Sequence, residues 1–446
     1  MTVLLQILAP LVLNLPFTLT DAWEAVTSAR LAARLNAMRA AGEPVTLADM
    51  AKMYPDPPAG RNAADLYDAA FKLADAAKLQ EGVEDLPLVG TEKLPEVDKD
   101  FPADLLADVG AYVKASGQVL RLLHDAAALD ECKFQIDMTK GMGMLLPHLS
   151  KMRGGARLLA LEAAWLTESG KPDQAAESLW AGLRLGHALC REPVLVSGLV
   201  RIACDGIAVG QIERLVSRGS PSAAQLEKLE SALRAEADPK RMERLFLAER
   251  CFGMSIYQDQ ILKPGGRGLA ELGIMEPLAF RFIPRTYFKA DMIEYVALMN
   301  QYVAAAKKPY PQSFIEGARI GAKIDEQIPK YYIICRMVLP ALGRIFTTGQ
   351  RHMAKLDSAR VALAALRYKA RNQRLPDKLG DLVPGFIEAV PLDPFVGKPL
   401  RYRRDADGFV IYGVGENGKD DGGAAQEIEG KPLDVGFRVR WPKGHF

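Results

Sequence analysis

The chain has 446 residues, 49% of them hydrophobic and 25% charged, a globular rather than a disordered composition. Its 57 basic and 55 acidic residues leave a formal net charge of +2, without the basic excess of a dedicated nucleic-acid binder, and 38 glycines and 28 prolines exclude collagen-like and low-complexity classes. The five cysteines, Cys132, Cys190, Cys204, Cys251 and Cys335, are widely spaced and never form a C-x-x-C pair. Neither a disulfide framework nor a structural zinc site is expected from them.

Residues 1–20 carry no charged side chain, and about 20 such residues span a bilayer. Gln6, Pro10, Asn14 and Pro16 interrupt the stretch, and no basic region precedes it. By length it fits a membrane anchor or a signal; by its polar and proline content it fits the buried first helix of a soluble domain. Residues 21–348 then read as one α-helical domain, with alanine and leucine recurring at three- and four-residue steps. Thr20 or Asp21 can cap a first helix that Gly42 and Pro44 end. Asn62 can cap a second, with Leu66, Ala69, Ala70, Leu73 and Ala77 on one face. An acidic, proline-containing stretch from Leu79 to Phe101 reads as a surface loop, and Pro102 opens a helical run to about Asp130.

Residues 155–189 form two helical runs separated by SGKPD, with Gly170 breaking the first and Pro172 opening the second. Ala163, Gly170, Ala175, Leu179 and Gly182 fall at spacings that resemble a tetratricopeptide repeat, of which the sequence holds one copy. His187 and Cys190 are close enough to share a helix face; a packed helix with one polar tip is the reading adopted over a two-ligand metal site. Ser220 and Pro221 open a further helix that Asp238-Pro239 ends. Met292, Tyr295, Val296, Met299, Tyr302 and Val303 form a core stripe. The segment 331–346 is a buried helix, too short and too interrupted by Arg336, Pro340 and Arg344 to cross a membrane.

At Gly349 the character changes, and residues 349–446 read as a small α+β domain. A helix with Ala359, Ala362, Leu363, Leu366 and Ala370 on its apolar face stops before Pro376. A proline-rich connector follows. LRYRR and FVIY flank an Asp407-Gly408 hairpin step, and the final strand alternates Phe437, Val439 and Trp441 with Arg438 and Arg440. This order, with Tyr368, Leu375-Pro376, Asp393-Pro394-Phe395, Gly397-Lys398-Pro399, Tyr412, Gly415, Asn417-Gly418, Asp434 and Trp441, resembles the periplasmic domain of the major pseudopilin of type II secretion systems. The likeness spans about residues 355–441. It implies a long helix packed on a short antiparallel sheet. The opening prepilin-peptidase site and filament helix of that family have no counterpart here, so the module is carried at the end of a larger helical protein, as in large bacterial envelope proteins. Leu363 and Leu366 are expected to face Tyr402, Ile411 or Val439.

The resemblance also implies calcium, held in the loop after the Tyr412 turn by Asn417, Asp420, Asp421 and Asp434. Ligand chemistry is compatible: residues 417–434 hold five carboxylates against Lys419 and Lys431, and calcium takes about six to eight oxygens. A solvated acidic turn is the competing reading.

No nucleophile elbow, P-loop, H-E-x-x-H or dinucleotide fingerprint occurs, and no serine or cysteine near the five histidines makes a dyad predictable. Glu249, Arg250, Tyr257 and Asp259 are read as a structural salt-bridge group. The sequence is therefore read as a non-enzymatic cell-envelope interaction or scaffold protein related to secretion. Its N-terminal segment would anchor it in the inner membrane, facing the periplasm. Protein partners are expected, and neither nucleic acid nor a small-molecule substrate. The alternatives are an enzyme of unknown class with its site among the helices, and a soluble cytoplasmic scaffold.

Overall fold

The helical periodicity is realised in a computed structural model that describes residues 17–97, 99–238, 240–262, 284–424, 427–428 and 431–442. The helices in chain order are α1 (Phe17–Ala40), α2 (Leu47–Lys52), α3 (Ala63–Ala76), α4 (Ala103–Ala115), α5 (Gly117–Ala127), α6 (His148–Glu168), α7 (Pro172–His187), α8 (Leu195–Arg218), α9 (Ala223–Glu236), α10 (Lys240–Ser255), α11 (Arg285–Ala306), α12 (Gln312–Gln327) and α13 (Ile333–Asn372). The strands are β1 (Arg401–Asp405), β2 (Gly408–Val414), β3 (Glu427–Ile428), β4 (Lys431–Pro432) and β5 (Asp434–Arg440). No sheet occurs before α13 among the described residues.

Local chemistry explains most boundaries. Gly42 adopts φ +71° just past the end of α1, a conformation that costs an L side chain energy. Asn62 caps α3 through Ala64 N–H and also binds both backbone groups of Lys133, pinning the helix start to a distant loop. Three sequence readings shift. Thr20 and Asp21 lie inside α1, which begins by Phe17. The α3 face that packs is Ala63, Tyr67, Ala70 and Phe71, because the two aromatic rings have far more area to bury than Ala69 or Ala77. Ser222, not Ser220, caps α9, accepting from Gln225 N–H.

The α6–α7 hairpin turns at Gly170 (φ +70°) with Pro172 in the first turn of α7. The Met/Tyr stripe of α11 is buried as expected. The segment from Tyr331 and the helix after Gly349 are not separate elements: α13 runs unbroken through the expected boundary. Its 40 residues span about 60 Å. Pro340 lies within it. Gly349 is retained there because Phe314 of α12 lies where a side chain would project; a Cβ would come within 2.5 Å of the ring.

The N-terminus of α13 is held by Asp291 of α11, which is fully buried. One carboxylate oxygen accepts Ile334 N–H at 3.0 Å; the other accepts Cys335 N–H at 3.2 Å and Tyr257 O–H at 3.1 Å. A carboxylate there meets otherwise unsatisfied donors and the positive end of the helix dipole. Further along, α12 and α13 touch backbone to backbone: a Cβ on Gly321 would lie 2.6 Å from Gly343 Cα.

Three apolar cores result. The first packs α10, α11 and α12 with the N-terminal half of α13. The second joins α6–α9 with the C-terminal half of α13 and the sheet. The third lies among α3–α8. The sheet is antiparallel in the order β1-β2-β5, and β3 and β4 form a separate two-residue ladder. Asp405 pairs with Gly408 across the Ala406-Asp407 turn. Leu363, Ile411 and Val439 share one core with Leu366 and Tyr402 at its margin, the expected helix-on-sheet packing. β5 alternates as expected, but β2 is buried on both faces. The covering residue is Gly423 (φ +76°), whose missing side chain would strike Val410 and Tyr412.

Candidate functional site

The acidic loop is held by its own backbone. One oxygen of Asp434 accepts N–H from Asp421 at 3.0 Å and from Gly423 at 2.7 Å. The other, buried, has no hydrogen-bond partner among the described residues. Asn417 Nδ2 donates to Asp421 at 2.8 Å. Asp420 turns outward, accepting from Arg401 Nε at 2.9 Å, Tyr412 O–H at 3.0 Å and Gly422 N–H at 3.0 Å. Asn417, Asp421 and Asp434 are thus linked, while Asp420 is committed to Arg401. Among the described residues no three His, Cys, Asp or Glu side chains gather as a metal site would require. Burial raises the Asp434 carboxyl above its usual range, and the neighbouring charges of Asp421 and Asp420 add to the effect.

Glu249, Arg250, Tyr257 and Asp259 do not form one group. Arg250 is fully buried and pairs with Glu43 at 2.8 Å and Asn300 at 2.7 Å. Tyr257 serves Asp291, and Asp259 is exposed. Burial pushes the Glu249 carboxyl up to about 7.

The densest polar assembly is one that the sequence reading missed. Five helices bring together His187 (α7), Arg201 and Asp205 (α8), Glu236 (α9), Arg241 (α10) and His352 (α13). Glu236 is buried, with one oxygen 2.5 Å from His187 Nδ1 and the other accepting from Arg201 at 2.9 Å and Arg241 at 2.7 Å. Asp205 lies 3.3 Å from Arg201 and 3.2 Å from His352 Nε2, and its second oxygen has no partner among the described residues. The charge pattern splits the two acids. Burial opposes ionisation of Glu236, but the His187 hydrogen bond and the two guanidiniums outweigh it and hold its carboxyl far below the usual range. Burial and the Glu236 charge push Asp205 upward. Burial also works against a charged His187; the neighbouring Cys190 side chain and the bond to Glu236 prevail and raise it to about 9.

His187 is the last residue of α7, where a helix dipole favours a cation. Cys190 follows in the turn and is half-buried, so the pair spans a helix end rather than one helix face. A groove of about 590 Å³ between α7 and α9 is lined by both His187 and Glu236. Trp180 stands in it with Lys228 Nζ 4.0 Å over its ring. The signal that could have disclosed this site was the pair of charges Arg201 and Asp205 within the otherwise apolar α8.

One described helix, α8, is long and apolar enough to cross a bilayer; 56% of its most apolar window is buried against the protein. Residues 1–16, including Leu4, Leu5, Leu8 and Leu11 of the expected anchor, lie outside the described residues. No family model, curated protein or solved structure matches the chain.

Proposed function

We propose that the chain is a cell-envelope interaction protein whose helical body presents a pseudopilin-like C-terminal module, and that the loop over β5 of that module holds a calcium ion. The observation that carries the reading is the Asp434 carboxylate. It is 4% exposed, is gripped on one oxygen by two loop N–H groups, and its other oxygen has no donor among the described residues. A buried carboxylate oxygen left unpaired is costly unless a cation meets it. Asp421 and Asn417 stand beside it, and backbone carbonyls of the glycine-rich loop would complete an oxygen shell. Asp420, occupied by Arg401, would stay outside. The long helix packed on an antiparallel sheet supports the likeness to the pseudopilin module, and residues 1–20 would supply the tether.

The test uses the full chain, because the module shares its core with α6–α9. Calcium should raise the melting temperature and chelation should lower it, since an ion that binds only the folded loop stabilises it. Asp434→Asn should abolish the difference and Asp420→Ala should retain it. A melting temperature indifferent to calcium would remove the ion from the reading. Recovery of the chain only in the soluble cytoplasmic fraction would overturn the envelope location.

A further inference from the structure

We propose that the open face of the α6–α8 pair, formed by Arg153 and Arg157 of α6 with Val196, Leu199 and Ala203 of α8, docks an acidic segment of a partner protein that also carries apolar side chains. The two helices lie side by side and run the same way. His148 at the start of α6 is bonded to Glu192 just before α8 at 2.7 Å, and Glu168 at the end of α6 is bonded to Arg214 near the end of α8 at 2.7 Å. These pairs are 44 and 46 positions apart. The same offset sets Arg153 level with the Leu199 turn and Arg157 level with Ala203. Burial raises the Cys204 thiol of α8, and the charges of Arg153 and Arg157 oppose that rise, so both arginines stand within electrostatic reach of α8.

Val196, Leu199, Ala203 and Ile207 recur at three- and four-residue steps along α8 and so share one face. Val196 is 52% and Leu199 37% exposed, and Leu145, 80% exposed, precedes α6 at the same end of the pair. A Cβ on Gly154 of α6 or Gly206 of α8 would meet nothing within 4 Å among the described residues. Neither the Arg153 nor the Arg157 guanidinium has a hydrogen bond or ion pair among the described residues. Lys151, close by on α6, is paired with Asp75. Over positions 148–157 and 195–207 the sole carboxylate is Asp205, which is buried and turned to Arg201 and His352. The face therefore combines an apolar strip with a positive edge and holds no anion of its own.

The far end of the same helix pair shows what suits such a surface. There the acidic loop 79–101 lies across α8. Arg214 donates to Pro95 O at 2.9 Å, Arg218 donates to Val97 O at 3.3 Å and pairs with Asp100, and the Phe101 ring packs 4.7 Å from the Arg214 guanidinium. At that end an acidic segment with apolar side chains covers the arginines; at the Arg153 end no described residue does. Two unpaired guanidiniums four positions apart would take two carboxylates, each through a fork of hydrogen bonds. A second copy of this chain is a poor fit, because two-fold pairing of the face would set arginine against arginine. A bilayer is a poor fit as well. Arg157, Ala203 and Ile207 are half-buried, within reach of side chains from a narrow segment but not of a flat surface. The surface lies outside the pseudopilin-like module, so its test does not depend on the calcium reading.

The full chain is titrated into a fluorescein-labelled synthetic peptide of glutamate and leucine at helical spacing, and binding is read by fluorescence anisotropy. The peptide should bind, and the same peptide with lysine in place of glutamate should bind about tenfold or more weakly. Arg153→Glu combined with Arg157→Glu, with folding checked by circular dichroism, should weaken the glutamate peptide about tenfold or more. If the double variant fails to fold, Arg153→Glu alone, at an exposed position, carries the test. Leu199 should be oxidised by hydroxyl radicals in the free chain and protected by the glutamate peptide. No binding, equal binding of the two peptides, binding indifferent to the charge reversal, or a Leu199 already protected in the free chain would overturn the proposal. So would dimerisation, or cosedimentation with phosphatidylglycerol vesicles, that the charge-reversal variant alters.

Discussion

The two polar clusters of this chain are built in opposite ways. The acidic loop gathers its groups within 18 consecutive positions, 417–434, and binds them mostly to its own backbone. The Glu236 cluster gathers six side chains from five helices, between positions 187 and 352, and binds them to each other. A contiguous cluster can form or dissolve with its loop. An assembled one exists only when every helix is docked, so its charges are balanced by folding itself. Removing a partner should therefore be cheap in the first case and costly in the second.

The largest expected effect is that of Glu236→Ala. It leaves Arg201, Arg241 and His187 buried together without an anion, which should cost about 3–5 kcal/mol in a urea titration. A loss below about 1 kcal/mol would mean that water already screens the cluster. Next is pH. His187 is raised to about 9 from an ordinary 6.5. The protonated form therefore favours the folded state, a contribution fully present below pH 6.5 and lost as pH rises through 9. It amounts to at most about 3 kcal/mol. His187→Asn should flatten that alkaline limb. Glu249 gives the same slope from the opposite cause, because folding disfavours its charged form instead of favouring it. Its carboxyl is raised to about 7 by burial, so the folded state favours its protonated form and stability falls as pH rises from 4.5 through 7. Glu249→Gln should gain about 1–2 kcal/mol at pH 8 and little at pH 4. The smallest effect belongs to the loop surface: Asp420→Ala should change stability by under about 1 kcal/mol, since its partner Arg401 can turn to water.

How far each cluster was legible follows from this difference. The loop could be read directly, because Asn417, Asp420, Asp421 and Asp434 lie close along the chain; their orientation could not, since Asp420 turns to Arg401 through the geometry of β1. The α11 stripe and the strand alternation of β5 were legible because one element's own periodicity defines them. The Glu236 cluster was not: Arg201 and Asp205 on α8 look like an interruption of an apolar helix until α7, α9, α10 and α13 surround them. Gly349 misled for a related reason. A glycine suggests a break when read locally, but here it accommodates Phe314 of another helix and α13 continues.

That continuity bears on how the protein comes apart. The first half of α13 is a wall of one core and the second half a wall of another. A helix cannot fray from its middle without surrendering hydrogen bonds on both sides. Loss of either core would strip the apolar face from half of a rod that the other core still needs. The two cores are thereby yoked into a single cooperative unit. Amide protons near Gly349, midway along the rod, should exchange only through complete unfolding, and a tug at the C-terminal sheet would be felt at Asp291, where the far end of the rod is moored.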